Sequence, residues 1–269
     1  MTTSNSMCIL IPFRFGNQEI KDKNLEMILK KSLFQRTFNH AQEIKKLIPG
    51  RICLSTNRPE ILMDNVNTRK IFNKLLLTKK ISKSELSLSS LEVDLHHRSE
   101  ELASKTAPIS EVLRSVRELY IEKNVYFKYW LLLQPTTPFR SHTDFRFISN
   151  YFKQLENHTR EVSLVSVTPI DGFHPTRMYR EKFGKLQYFL SSSPSNDHQR
   201  QDLEPLYIRD GAFYFFSDEL AKSDKLKNDC PDFLIRNFPW NINIDTMQDL
   251  QLARSIEKNQ VLDDPNIHV

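Results

Sequence analysis

Residues 129–134, Tyr-Trp-Leu-Leu-Leu-Gln, are the most apolar run in the chain, and the run shows no alternation of apolar with polar residues. A half-buried strand turns every second side chain to water, so an unbroken run marks a strand covered on both faces, as inside a parallel sheet flanked by helices. Similar short runs recur at Cys8–Phe13, 51–56 (RICLST), 91–97 (LEVDLHH), 163–167 (SLVSV), 212–217 (AFYFFS) and 241–244 (NINI). Between them, residues 27–47, Ile109–Lys123 and Met247–Glu257 carry helical spacing, and a further helix is predicted to begin at 59–66 (PEILMDNV). Strands alternating with helices mean βαβ units, so the first half is predicted to be a doubly wound, mainly parallel, Rossmann-like α/β layer. After residue 167 the pattern changes, and YREKFGKLQYFLSSS reads as an antiparallel hairpin or arm turning at Gly184.

A chain of 269 residues is long enough to bury its core as one domain, or as one domain with a smaller subdomain. The formal net charge is +5, but the basic residues are spread along the chain among 33 acids. That pattern predicts a solvated basic surface with local pockets for small anions, not a nucleic-acid-binding stripe. Cys8, Cys53 and Cys230 are far apart and form no C-x-x-C pair, so they read as reduced residues of a cytosolic protein. Met7–Pro12 is too short for a membrane span or signal core, and a soluble cytoplasmic protein is the expectation. The Ser/Lys-rich segment 81–90 reads as a surface excursion.

Ligands of such sheets sit at the carboxyl ends of strands. The first strand is followed by Arg14, Gly16, Lys21, Lys23 and Asn24, a set that could neutralise a phosphate or form a solvated loop. It is neither a Walker loop nor a dinucleotide fingerprint. Asp245 stands between a strand-like run and a helix, where it could cap the helix or hold a divalent metal on a triphosphate; local sequence favours capping. His96-His97 is a poor metal pair, because neighbours on a strand point to opposite faces.

Six segments in order resemble the acylneuraminate cytidylyltransferase family, the CMP-sialic acid synthetases. Residues 11–24 align without a gap to I-P-A-R-G-G-S-K-x-I-P-x-K-N, and Arg98-Ser-Glu-Glu-Leu-Ala, with Thr106-Ala107 behind it, is similar to R-P-x-E-L-A…T-A. LLQPTTPFR (132–140), HPTRM (174–178), RQDLEPLYIRDGAFY (200–214) and INIDTMQDLQLA (242–253) resemble the family's later motifs. The resemblance implies one cytidylyltransferase domain over residues 1–269, with a GT-A-like nucleotidyltransferase sheet and a dimerisation arm at about 170–205. It implies CTP and a nonulosonic acid as substrates, Mg²⁺ as cofactor and a homodimer. Arg14, Lys23 and Asp245 match catalytic positions, and Arg14, Gly16, Asn17, Lys23, Asn24, Arg98 and Thr106 match nucleotide-binding ones. Gln134, Arg177, Arg200, Gln201 and Tyr207 match positions around the sugar, while Asp245 and Asn243 match the metal site.

The departures bear on the same machinery. Phe15-Gly16-Asn17-Gln18 replaces G-G-S-K, Asp22 precedes the matched lysine, and Asn243 replaces the first aspartate of I-D-I-D. Asn57 stands where the pattern has an aspartate, and Asp210 where it has an asparagine. The expectation is weaker handling of CTP or Mg²⁺. Alternatives are another 2-keto sugar acid (3-deoxy-manno-octulosonic, pseudaminic or legionaminic) or a non-catalytic nucleotide-binding relative.

Overall fold

The unbroken apolar runs become strands because helices cover both faces of one sheet. A computed structural model describes residues 5–16, 19–58, 87–88, 93–155, 161–170, 172–190 and 203–259. The strands are β1 (Asn5–Pro12), β2 (Met27–Ile28), β3 (Lys31–Ser32), β4 (Gly50–Thr56), β5 (Ser87–Leu88) and β6 (Val93–His97). They continue as β7 (Phe127–Leu132), β8 (Ser163–Pro169), β9 (Tyr179–Lys182), β10 (Lys185–Tyr188), β11 (Tyr207–Ser217) and β12 (Asp232–Ile235). The helices are α1 (Leu33–Leu47), α2 (Ile109–Glu122), α3 (His142–Gln154), α4 (Asp218–Lys222) and α5 (Met247–Lys258).

Eight strands form the main sheet in the order β12-β8-β11-β7-β1-β4-β6-β5. β7, β1, β4 and β6 are parallel, whereas β11 runs antiparallel to both β7 and β8. Successive residues of β1 serve opposite faces. Met7, Ile9 and Ile11 pack with Phe34, Phe38 and Ile44 of α1 and Phe145, Ile148 and Phe152 of α3. Cys8 and Leu10 pack with Trp130, with Leu113, Val116 and Tyr120 of α2, and with Leu220 of α4. The doubly wound, mainly parallel α/β reading therefore holds.

Two local expectations are corrected. The helix expected over 27–47 begins only at Leu33, because Ser32 and Gln35 form a capping box and residues 27–32 make the small β2–β3 hairpin. NINI is no strand: Ile242 and Ile244 are buried against Phe139 and Leu250, yet Ile244 N–H finds its partner in the Thr136 carbonyl, 2.7 Å away in a loop. The edge position in the sheet goes instead to β12, which the sequence reading did not contain. Nor did it contain α3, although Ser141 and Asp144 form its capping box.

The hairpin near Gly184 is present as β9–β10, turning on Phe183 and Gly184 with φ values of 53° and 71°, as a two-residue turn of this hand requires. No described helix is long and apolar enough to cross a membrane. Cys8 and Cys53 are buried and Cys230 is exposed, all three as free thiols. The helix expected at 59–66 and most of the 81–90 excursion lie outside the described residues.

Candidate active site

The carboxyl ends of β1, β6 and β7 open on one cleft of about 600 Å³, which the 243–245 segment closes from the side. Arg14, Lys23, Asn24, Arg98, Gln134, Asn243 and Asp245, chosen from sequence, all line it. Its charged side chains are Arg14, Lys23, Arg98 and Lys105 against Glu19 and Asp245, a cationic excess suited to an anion. Lys105 and Glu19 were missed by the sequence reading, although both lie inside matched segments.

Each side chain is held from an element nearby. Arg14 donates to the carbonyls of Ala103 and Ser104 on the far wall, and its own carbonyl accepts from Asn24 Nδ2 at 2.9 Å. Lys23, 8% exposed, donates to the Ile244 carbonyl at 2.8 Å and to Asp245 Oδ1 at 3.1 Å. Arg98 is buried at the end of β6 and donates to Ser55 Oγ and the Ser55 carbonyl. Burial, aided by repulsion from Arg14, lowers the Arg98 pKa to about 10, so it keeps its charge at neutral pH.

Asp245 does not cap α5. Thr246 does, forming a capping box with Asp249, whose carboxylate also accepts the Asp245 N–H at 3.0 Å. Partial burial opposes ionisation of Asp249, but those donors win and hold its pKa below the ordinary value. The Asp245 side chain, 63% exposed, is thereby left for Lys23 and for Asn243, whose Nδ2 lies 2.7 Å from Asp245 Oδ2.

The departures find physical roles. Phe15 is buried edge-to-face on Phe13 in the core, with ring centroids 5.9 Å apart, so its bulk does not enter the cleft. Asn57 Oδ1 accepts the Phe15 N–H at 3.0 Å and fixes that loop. Asp22 adopts φ 49° before a short 3-10 turn and does not line the cleft. Asp210 is buried and pairs with Arg236 at 2.6 Å, a partner 26 residues away. It also holds the backbone N–H of Ala212, beside Gly211.

Gly211 has φ +82°, and a Cβ there would stand 3.0 Å from Gln134 Oε1. Gly211→Ala is expected to cost about 1–2 kcal/mol, from the left-handed backbone alone. It also pushes the Gln134 amide off its position, so parallel melting and substrate-binding measurements separate the two effects.

Other sequence candidates fall elsewhere. Gly16, with φ +88°, and Thr106, exposed beside Ser104, do not line the cleft. Arg177 is exposed at the end of the 175–177 turn on the arm. Tyr207 packs on Phe233 and borders a separate cavity of about 190 Å³ with His174. Asn17, Gln18, Arg200 and Gln201 lie outside the described residues. Among the described residues no three His, Cys, Asp or Glu side chains converge as a metal cage. Mg²⁺ accepts one or two carboxylates plus phosphate oxygens; the Asp245 carboxylate, the acid matched to the metal position, accepts from Lys23 Nζ and Asn243 Nδ2.

No protein-family model and no curated protein sequence matches the chain. Solved structures do match its α/β fold. A CMP:2-keto-3-deoxy-manno-octonic acid synthetase complexed with CTP superposes with a TM-score of 0.57 at 12% identity, covering 95% of this chain and 99% of that one. A 4-diphosphocytidyl-2C-methyl-D-erythritol synthase from Anaerococcus prevotii DSM 20548 gives 0.53 at 11% identity, covering 94% and 98%.

Proposed function

We propose that this chain is a cytidylyltransferase that joins CMP from CTP to the anomeric hydroxyl of a 2-keto sugar acid of the nonulosonic type, releasing pyrophosphate. The observation that carries the reading is the convergence of Arg14, Lys23, Arg98, Gln134 and Asp245 on one cationic cleft at the strand ends. Of the similar structures, one is named a CMP:2-keto-3-deoxy-manno-octonic acid synthetase and is complexed with CTP, and another is named a 4-diphosphocytidyl-2C-methyl-D-erythritol synthase.

In this reading Arg14 and Lys23 hold the triphosphate, and their charge stabilises the transition state and the departing pyrophosphate. Arg98 and Asn24 serve the nucleoside end. Gln134 faces the sugar. Asp245 and Asn243 would hold Mg²⁺, which when bound withdraws charge from the phosphate oxygens.

The test is pyrophosphate release from purified protein with CTP, Mg²⁺ and a panel of 2-keto sugar acids. Turnover with a nine-carbon acid supports the reading. Turnover only with 3-deoxy-manno-octulosonate selects the second reading, favoured by the octonic acid synthetase among the similar structures. CTP binding without pyrophosphate across the panel identifies a non-catalytic relative.

A homodimer through the arm belongs to the same proposal. Phe183 is 90% exposed and Leu186 70%, with Tyr179, Phe189 and Leu190 also exposed nearby. An apolar arm of this kind calls for a partner surface. Light scattering is expected to give a dimer for the native chain and a monomer for Phe183→Asp/Leu186→Asp; an unchanged mass removes the arm from the interface.

A further inference from the structure

His96 was set aside in the sequence as half of a poor metal pair, yet it is buried near the end of β6, two residues before Arg98 of the cleft. Its Nδ1 lies 2.9 Å from Ser55 Oγ, and its Nε2 lies 3.0 Å from Ser115 Oγ on α2. Ser55 Oγ also receives the Arg98 Nε–H at 3.3 Å. A guanidinium only donates, so Ser55 Oγ accepts there and has one proton to give. A hydroxyl oxygen can accept twice, so the tautomer of His96 sets the direction: the Nε2–H form takes the Ser55 proton on Nδ1 and donates to Ser115, and the Nδ1–H form does the reverse.

We propose that His96 is a positioning residue: acting through Ser55, it fixes the Arg98 guanidinium at the nucleoside end of the cleft. The inference rests on the reading of that cleft as a nucleotide site. Burial, with repulsion from Arg98 and His97, pulls the His96 pKa down to about 4 and keeps the ring neutral at neutral pH; as the Nε2–H tautomer it accepts the Ser55 proton at Nδ1. Without that acceptor the Ser55 hydroxyl is free to rotate, and Arg98 loses the oriented lone pair that aims its Nε–H.

Two variants split the chain of bonds. In His96→Asn the amide oxygen takes the Nδ1 position and preserves the acceptor for Ser55. In His96→Gln the longer amide reaches toward Ser115 and leaves Ser55 without it. Nuclear magnetic resonance on the full chain first reads the tautomer from the imidazole nitrogens and the exchange of the Arg98 Nε–H. Slow exchange in the native protein and His96→Asn, with faster exchange in His96→Gln, is the expected result. A native Nδ1–H tautomer, or equal exchange in both variants, overturns the relay whether or not CTP binds. Calorimetry then measures CTP: His96→Gln is expected to bind about five- to tenfold more weakly, as loss of one oriented hydrogen bond implies, with His96→Asn restoring most of it. An intact relay with equal CTP affinity in both variants overturns the positioning role. Absence of CTP binding by the native protein sinks the nucleotide reading and this role for Arg98 together, while the resonance data still decide the bonds.

Discussion

Arg236→Leu is expected to lower stability by about 3–5 kcal/mol, the loss seen when one partner of a buried charge network is removed. Arg236 is 2% exposed. Its guanidinium meets Asp210 at 2.6 Å and Asp144 at 3.3 Å, and donates to the carbonyls of Phe139 and Trp240. Its face lies over the Phe213 ring, 5.7 Å from the centroid. Leucine supplies comparable apolar volume but leaves two carboxylates facing a dry interior. Asp210 keeps only the Ser166 hydroxyl and the Ala212 N–H, and Asp144 keeps the α3 capping box. A melting temperature lower by on the order of 10 °C follows for a chain of this size. Asp210→Asn in the Arg236→Leu background should recover part of the loss, because it removes a stranded charge; strictly additive losses would show that the pair is not coupled.

That network explains one limit of reading the sequence. Asp210 looks there like a lost asparagine, and nothing within ten residues reveals its compensation by Arg236. Phe15 looks like a lost glycine for the same reason, since only the fold shows its ring turned onto Phe13 and away from the cleft. What the sequence carried well was local and periodic. β1, β4 and β7 are continuous apolar runs because both faces are covered, and α2 and α5 follow their spacing almost to the residue.

Errors came where burial and backbone pairing part company. Ile242 and Ile244 alternate like a strand because they face the α5 side of the core, while their backbone pairs in a loop. β12 has only four residues, with Phe233 and Ile235 substantially exposed at the sheet edge, and its composition does not distinguish it from a loop. The cleft was legible as a set of strand-end residues. Lys105 was not, because a lysine amid other polar residues carries no local sign that it lines a cleft.

The N-cap of α5 beside the cleft is Thr246, not Asp245. Because Thr246 satisfies the α5 terminus, Asp245 can be changed without unravelling that helix. Asp245→Asn keeps an oxygen acceptor for Lys23 and removes one negative charge from the cleft. Since the carboxylate is 63% exposed, the expected stability loss is below about 1 kcal/mol. Turnover is expected to fall by about 10²–10³, the scale on which one positioned electrostatic group contributes to a transition state. CTP titrated with and without Mg²⁺ provides a second readout: the Mg²⁺-dependent gain in affinity should shrink in Asp245→Asn. Near-native turnover in that variant would remove Asp245 from the metal site. Asn243→Asp moves the other way, because its side chain already lies within hydrogen-bond reach of Asp245 and a second carboxylate raises affinity for a hard cation. A lower Mg²⁺ requirement in Asn243→Asp, lost again when Asp245→Asn is added, would establish that the two side chains share one ion. Independent effects would mean that the amide at position 243 serves Asp245 as a hydrogen-bond donor alone, and that the chain meets its metal through a single carboxylate.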